Sequence, residues 1–344
     1  MQNDLLVLKK KYEVFEKIAQ GGMAEVYKAV QKNGLGFVRT VAIKKILPRH
    51  VGNWQHETMF VNEAKLLVAI NHPNIVKVYD LGCENGQYFF VMEFIDGCDL
   101  RKIINFFQAK GQCVPVDCAV LIALEMTKSL EYIHQWKNEQ GEPQHLVHLD
   151  LSPKNILISQ SGSVKLTDFG IACFGEKLLS VSPREKSGRK GKVVRGKLSY
   201  MSPEQAMGHS LDGRSDIFSL GVVLFEMLTG RPIYQVQSLD ALQSAHRNQK
   251  VEAPFLGIEI PAFLEYILLR MLSFSPGDRY AGALELRQDL VKFLYHSLGT
   301  LPLQQLHFMM DEIQNSSREF IRPGESKKTG AYEETETIAR VVQP

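Results

Sequence analysis

Cysteine is scarce in this chain and unpaired. Five residues, Cys83, Cys98, Cys113, Cys118 and Cys173, are scattered among 344, an odd number with no CxxC pair. That leaves no basis for a disulfide framework or a zinc site and fits free thiols in a reducing compartment. An excess of one charge is lacking too: 40 Lys and Arg stand against 38 Asp and Glu. Nothing global therefore points to nucleic acid or to a membrane surface. The longest apolar run, Ile217–Leu228, is broken by Ser219 and Glu226 and falls short of the roughly 20 residues that cross a bilayer. The apolar run in MQNDLLVLKKKYEVFEK is too short for a signal peptide, and no internal repeat is present. The expectation is a soluble, cytoplasmic protein. Its 44% of hydrophobic residues can fill the core of one large or two-lobed domain.

The chain is organised around Val147–Gly170, VHLDLSPKNILISQSGSVKLTDFG. Two apolar stretches, Asn155–Ser159 and Ser163–Leu166, flank the turn-like Ser159–Gly162 and predict a hairpin. Such a hairpin brings its flanking turns together, so that Asp150, Asn155 and Asp168 converge. A carboxylate and an amide oxygen at one point suit Mg²⁺, which takes few protein oxygens beside substrate phosphates. A second carboxylate there can accept the proton of an attacking hydroxyl. Phosphoryl transfer needs that positioning and charge neutralisation.

HLDLSPKN followed by DFG resembles the catalytic and metal-binding loops of the protein kinase family, and most of all its bacterial serine/threonine members. The resemblance runs from about Tyr12 to Leu298 and implies an α+β, two-lobed fold. A small N-lobe (about 12–94) would carry a five-stranded antiparallel sheet and one helix, the family's αC. A larger, mainly α C-lobe (about 99–298) would follow. Residues 1–11 would be an extension, 299–314 an accessory helix and 315–344 a polar, disordered tail. The cofactors implied are ATP and Mg²⁺, with Mn²⁺ as a substitute, and the partners are protein substrates. A pseudokinase, a tyrosine-directed kinase and a small-molecule kinase on the same fold are the competing readings.

Residue by residue, Ile18, Ala19, Gln20, Gly21, Gly22, Met23, Ala24, Glu25 and Val26 match the phosphate-covering glycine loop. Against GxGxxGxV, only the middle glycine is kept, at Gly21, with Ala19 and Ala24 in the other two places. Lys44 of VAIK faces the core side with Ala42, while Lys45 is expected to face solvent. A buried ammonium needs a partner, and the helical stretch Thr58–Ile70 offers Glu63. By resemblance Lys44 would hold the ATP phosphates and pair with Glu63 rather than Glu57. Strands are expected at Ile75–Leu81 and Gln87–Phe94. Met92 would be the gatekeeper, the backbone at Glu93 and Ile95 would meet the adenine edge, and Asp99 would reach the ribose. Leu157 would belong to the same nucleotide-binding set. Leu67, Val78, His148 and Phe169 would form the family's regulatory stack. Cys98 is expected to be unreactive, and His134 packed or capping.

The helical period after Leu100 gives a buried helix at Val116–Gln135 and further helices at Asp216–Leu228, Phe263–Leu272 and Ala283–Ser297. Ser202–Glu204 resembles the end of an activation segment, with Glu204 expected to pair with Arg279 and Asp216 to anchor the catalytic loop. Phe174–Lys197 holds eight Lys or Arg against two Glu and is expected to be mobile. Its GKVVRGKL imitates a P-loop by chance, because it ends in Leu198 and follows no buried strand. Leu303–Ile313 is amphipathic. In the acidic tail, phosphorylated Thr335 or Thr337 would suit a forkhead-associated domain.

Three departures stand out. Leu149 replaces the family's arginine, which normally receives an activation-segment phosphate. Ser152 and Lys197 replace the lysine and threonine that bridge to the catalytic aspartate of serine/threonine kinases. Lys154, four residues after Asp150, takes the place of an arginine found in some tyrosine kinases and is the candidate for contacting the transferred group.

Overall fold

A computed structural model describes residues 11–32, 36, 38–169, 198–248, 260–298 and 304–319. The segment 170–197, with Cys173, Ser180, Ser182, Ser187 and Lys197, lies outside the described residues, as does the tail with Thr335 and Thr337. Strands β1 (Tyr12–Gln20), β2 (Ala24–Lys32), β3 (Val38–Ile46), β4 (Val78–Glu84) and β5 (Gln87–Glu93) form one antiparallel sheet, in the order β1-β2-β3-β5-β4. The alternation of β3 and β5 explains why both faces are used. Ala42 and Met92 turn into the main core, while Val41, Ile43 and Val91 join Tyr12, Ala29 and Phe89 in a second apolar cluster on the other face.

β4 begins at Val78, not at Ile75 as the apolar pattern predicts. The residues before it pair elsewhere: Leu166 N donates to Asn74 O at 2.8 Å and Val76 N to Leu166 O at 2.9 Å. Helix α1 (Trp54–Ala69) starts four residues before the expected Thr58, because Asn53 caps it. Its side-chain oxygen accepts from the amides of Gln55 and His56. Apolar spacing does not register a polar cap. The helix buries Phe60, Ala64 and Leu67 against the sheet, on the face that also carries Glu63.

The C-lobe opens with a three-residue strand β6 (Gly97–Asp99), too short to be read from the pattern. It pairs with β7 (Ile156–Ser159), which pairs with β8 (Val164–Leu166) as the expected hairpin. Asp99 also caps α2 (Leu100–Ala109), accepting from Lys102 N at 3.1 Å. Helix α3 (Val116–His134) is buried nearly all round, as its composition predicts. It packs on α5 (Gly213–Thr229) and α8 (Ala283–Leu298), with the short α4 (Pro203–Met207), α6 (Leu239–Asn248) and α7 (Ala262–Met271) around them. Helix α9 (Gln305–Glu319) continues past the polarity change at Asn315. It buries Leu306, Met309 and Met310 in the main core.

The hairpin turn meets α9 closely. Gly162 has φ +81°, and a Cβ there would lie 3.0 Å from His307 N. Next to it, His307 Nδ1 bonds Gln160 O at 2.8 Å.

Candidate active site

Lys44 sits on β3 opposite Phe90 of β5, and its side chain crosses the cleft between the lobes. Its Nζ lies 2.7 Å from Glu63 Oε1 on α1 and 2.7 Å from Asp168 Oδ1. Burial alone would lower the pKa of this ammonium. The carboxylates of Asp168 and Glu63 override that and hold it well above the ordinary lysine range. Glu57 is occupied elsewhere, accepting from Gly52 N at 2.7 Å. Lys45 is not turned to open solvent as expected; on the opposite face it is partly buried, 3.6 Å from Glu84.

Asn155 ties the two aspartate loops together. It ends a 3₁₀ turn over Pro153–Asn155; its Nδ2 donates to Asp150 O at 2.8 Å and to Asp150 Oδ2 at 3.1 Å. On the other side, its carbonyl accepts from Thr167 N at 2.9 Å, one residue before Asp168. Lys154 is exposed on the same turn and Ser152 is buried. His148 also spans the loops. Its Nδ1 accepts from Asp150 N at 3.3 Å, which leaves the Nε2 proton for Thr167 O at 3.3 Å. The His148 ring meets Phe169 edge-on, with centroids 4.7 Å apart. Phe169 joins Leu67 and Val78 in the main core, so the four residues expected to stack are all buried in one region.

Asp216, fully buried at the start of α5, anchors this loop. It accepts from His148 N at 2.9 Å and Leu149 N at 2.8 Å. His134 does more than pack or cap, because its Nε2 lies 2.8 Å from Asp216 Oδ2. Burial would raise the Asp216 carboxyl; the bond to His134 and the loop amides bring it below the usual carboxylate range. The part His134 plays in this anchor shows only in this contact, 82 positions away in the chain. Leu149 and Asp168 both have positive φ, 61° and 60°. Such backbone is costly for a side chain other than glycine and clusters at functional sites.

The glycine turn joins β1 to β2, and Gly22 O accepts from Arg49 at 2.6 Å. Gly21 N donates to Ala24 O at 2.8 Å, closing the turn between β1 and β2. A Cβ at Gly22 would meet nothing within 4 Å, and neither glycine has positive φ. Packing within the chain therefore does not require glycine here. Ile18, Ala19, Gln20 and Gly21 are exposed, Met23, Glu25 and Val26 half-buried, and Ala24 buried. Ala42 and Met92 belong to the main apolar core, and Val26, Ile95 and Leu157 pack against it partly buried. Glu93 is partly committed: its N donates to Lys77 O at 2.8 Å and its Oε2 accepts from Lys165 Nζ at 2.9 Å. Cys98 is pushed up to about 11, first by burial and then by the Asp99 charge, as an unreactive thiol should be. Among the described residues no three His, Cys, Asp or Glu converge as a metal cage. Asp168 and the amide oxygen of Asn155 would fit the sparse oxygen set that Mg²⁺ takes alongside phosphates.

The chain is 36% identical over 314 residues to "Tyrosine-protein kinase MasK" of Myxococcus xanthus, covering 89% of this chain and 47% of that protein. It is 34% identical over 290 residues to "Serine/threonine-protein kinase PknB" of Mycolicibacterium smegmatis, covering 83% and 43%. To "Probable serine/threonine-protein kinase PknB" of Lactococcus lactis it is 33% identical over 283 residues, covering 81% and 41%. The chain thus spans less than half the length of these relatives. The family model described as protein kinase domain matches residues 12–289, which include every residue of the cleft, and the chain belongs to the protein kinase family.

Proposed function

We propose that this chain is an ATP- and Mg²⁺-dependent protein kinase that phosphorylates serine and threonine hydroxyls of proteins, itself included. One observation carries the reading: Lys44 is held at 2.7 Å by both Glu63 and Asp168, while Asn155 links Asp150 to the loop that bears Asp168. Lys44 fixes the nucleotide phosphates, and Glu63 fixes Lys44. Asn155 and Asp168 are the residues that would hold magnesium. When bound, ATP would supply the phosphoryl group and the metal would neutralise charge on its oxygens. Asp150 orients the acceptor hydroxyl and takes its proton as the new P–O bond forms and ADP leaves. The glycine loop from Ile18 to Val26 covers the phosphates. The apolar lining of Ala42, Met92 and Leu157 takes the base, with backbone at Glu93 and Ile95 on its edge, and Asp99 faces the ribose.

Serine and threonine are favoured because two of the relatives above are named for that acceptor. The tyrosine reading has support of its own: the exposed Lys154 on the turn after Asp150, the buried Ser152, and the likeness to a relative named as a tyrosine kinase. Against a pseudokinase stands the full set of Lys44, Glu63, Asp150, Asn155 and Asp168. No helix among the described residues is long and apolar enough to cross a membrane, which is compatible with work in the cytoplasm. The kinase domain is taken as 12–298 with α9 as an accessory helix. Thr335 or Thr337, once phosphorylated, is proposed to dock a forkhead-associated domain; mass spectrometry of the active protein finding neither modified would end that idea.

The test is transfer of radiolabelled ATP to the protein itself and to a generic basic protein, with phosphoamino-acid analysis and an Asp168→Asn control. Label on serine or threonine, absent in the control, is expected. Label on tyrosine would transfer the acceptor to the second reading. Bound ATP with no label would make the chain a pseudokinase.

A further inference from the structure

The side chain of Gln205 reaches from helix α4 into the catalytic loop. Ser202 and Gln205 form a capping box: Gln205 N donates to Ser202 Oγ at 3.3 Å, and Gln205 Oε1 accepts from Ser202 N at 3.1 Å. The cap uses only the oxygen of the amide. The other end, Nε2, donates to Leu149 O at 2.9 Å, across 56 positions of chain.

That carbonyl matters because of the peptide to which it belongs. Leu149 O and Asp150 N are the two ends of one planar unit. The amide end is held by His148 Nδ1 and the carbonyl end by Gln205. The preceding unit is held at Leu149 N by Asp216 Oδ1. Leu149 sits at φ +61°, a conformation a leucine adopts only when its surroundings hold it there. Its side chain is buried, so the loop gains no ordering from a charge at this position.

We propose that Gln205 is a positioning residue for phosphoryl transfer: through the Leu149 carbonyl it sets the peptide plane from which the Asp150 carboxylate projects. This rests on the kinase reading above. The catalytic loop is thereby coupled to α4 by a fixed hydrogen bond within the chain, where the family's arginine couples it to a phosphate.

Gln205→Glu separates the two jobs of the side chain. A glutamate keeps the oxygen that completes the capping box, and it turns an acceptor toward the Leu149 carbonyl where a donor stood. Expected in this variant are a kcat lowered about tenfold, the scale of one lost hydrogen bond in a reacting geometry, an unchanged KM for ATP, and a thermal midpoint lowered by no more than a few degrees with α4 still folded. Hydrogen exchange of the peptide covering His148–Asp150 should rise, while that of α4 stays protected. In a Leu149→Gly background, where positive φ costs nothing, the same change should lower kcat by a smaller factor. Wild-type kcat in Gln205→Glu with wild-type exchange at His148–Asp150 overturns the proposal. So does a loss of kcat that travels with a larger fall in thermal midpoint and exposed α4. If the wild-type chain transfers no phosphate, the kinase reading fails, and the exchange measurement still decides whether Gln205 holds the loop.

Discussion

Arg279 grips Glu204 with both terminal guanidinium nitrogens, at 2.7 and 2.9 Å, and its side chain is entirely out of solvent. Its remaining donors go to the carbonyls of Ser273, Arg214 and Phe274. Glu204 in turn accepts from Ser215 Oγ at 2.6 Å. Removing one partner of such a pair strands a charge in the interior. Arg279→Met should therefore cost about 3–5 kcal/mol of stability, read from urea unfolding. A loss under about 1 kcal/mol would mean that water reaches Glu204.

The buried Leu149 occupies the place of the cation that would receive an activation-segment phosphate. Replacing Ser180, Ser182, Ser187 and Ser199 together by alanine should leave most of the transfer rate intact. Of the four, Ser199 is described and is itself buried, at 8% exposure. Steady-state assays of the quadruple variant decide this, and an inactive variant with a native melting curve would count against it.

His246 predicts a response to acid. Its Nε2 bonds Met201 O at 3.1 Å, and its ring lies against Tyr234 and Phe218. Burial lowers the imidazole from 6.5 to about 4. The folded protein thus keeps it neutral at a pH where the unfolded chain has already protonated it. This contribution is complete above 6.5 and is lost as pH falls toward 4, at a slope of up to about 1.4 kcal/mol per pH unit. Urea unfolding at pH 7.5, 6 and 5 should show a shallower dependence for His246→Gln than for the wild type. Parallel slopes would show that the imidazole is hydrated.

Gly162→Ala puts a methyl group 3.0 Å from His307 N on a backbone at φ +81°. The expected cost is about 1–3 kcal/mol, with α9 cleaved sooner in limited proteolysis. Unchanged cleavage would mean that the turn and α9 move apart without strain.

What was legible in the chain was what repeats or punctuates. The strands near Val78 and Gln87, the Ser159–Gly162 turn, the buried helix over Val116–His134 and the HLD, Asn155 and DFG spacing all stand in consecutive residues, and the structure brings these stretches together. Contacts made by single side chains over long separations were not legible. Nothing around Gln205 or His134 announces that each reaches the catalytic loop or its anchor. Polar caps carry no apolar period, so the pattern starts α1 at Thr58 whereas the helix begins behind Asn53. β6 escaped because it is three residues long. It exists because Gly97 lets the backbone close on Ile158, where a Cβ would sit 2.0 Å from a carbonyl oxygen.

Lys44 can also be described by counting valences. An ammonium carries three N–H bonds, and Glu63 and Asp168 each accept one. Among the described residues no further hydrogen bond takes the third, and the centroid of the Phe90 ring lies 5.3 Å from the nitrogen, so under the proposed function a phosphate oxygen would be met by addition instead of substitution. The lysine joins an N-lobe helix to a C-lobe loop, and under the proposed function it would join both to the nucleotide. How tightly the two lobes are drawn together, and how firmly nucleotide is held, become two readings of one coordination number.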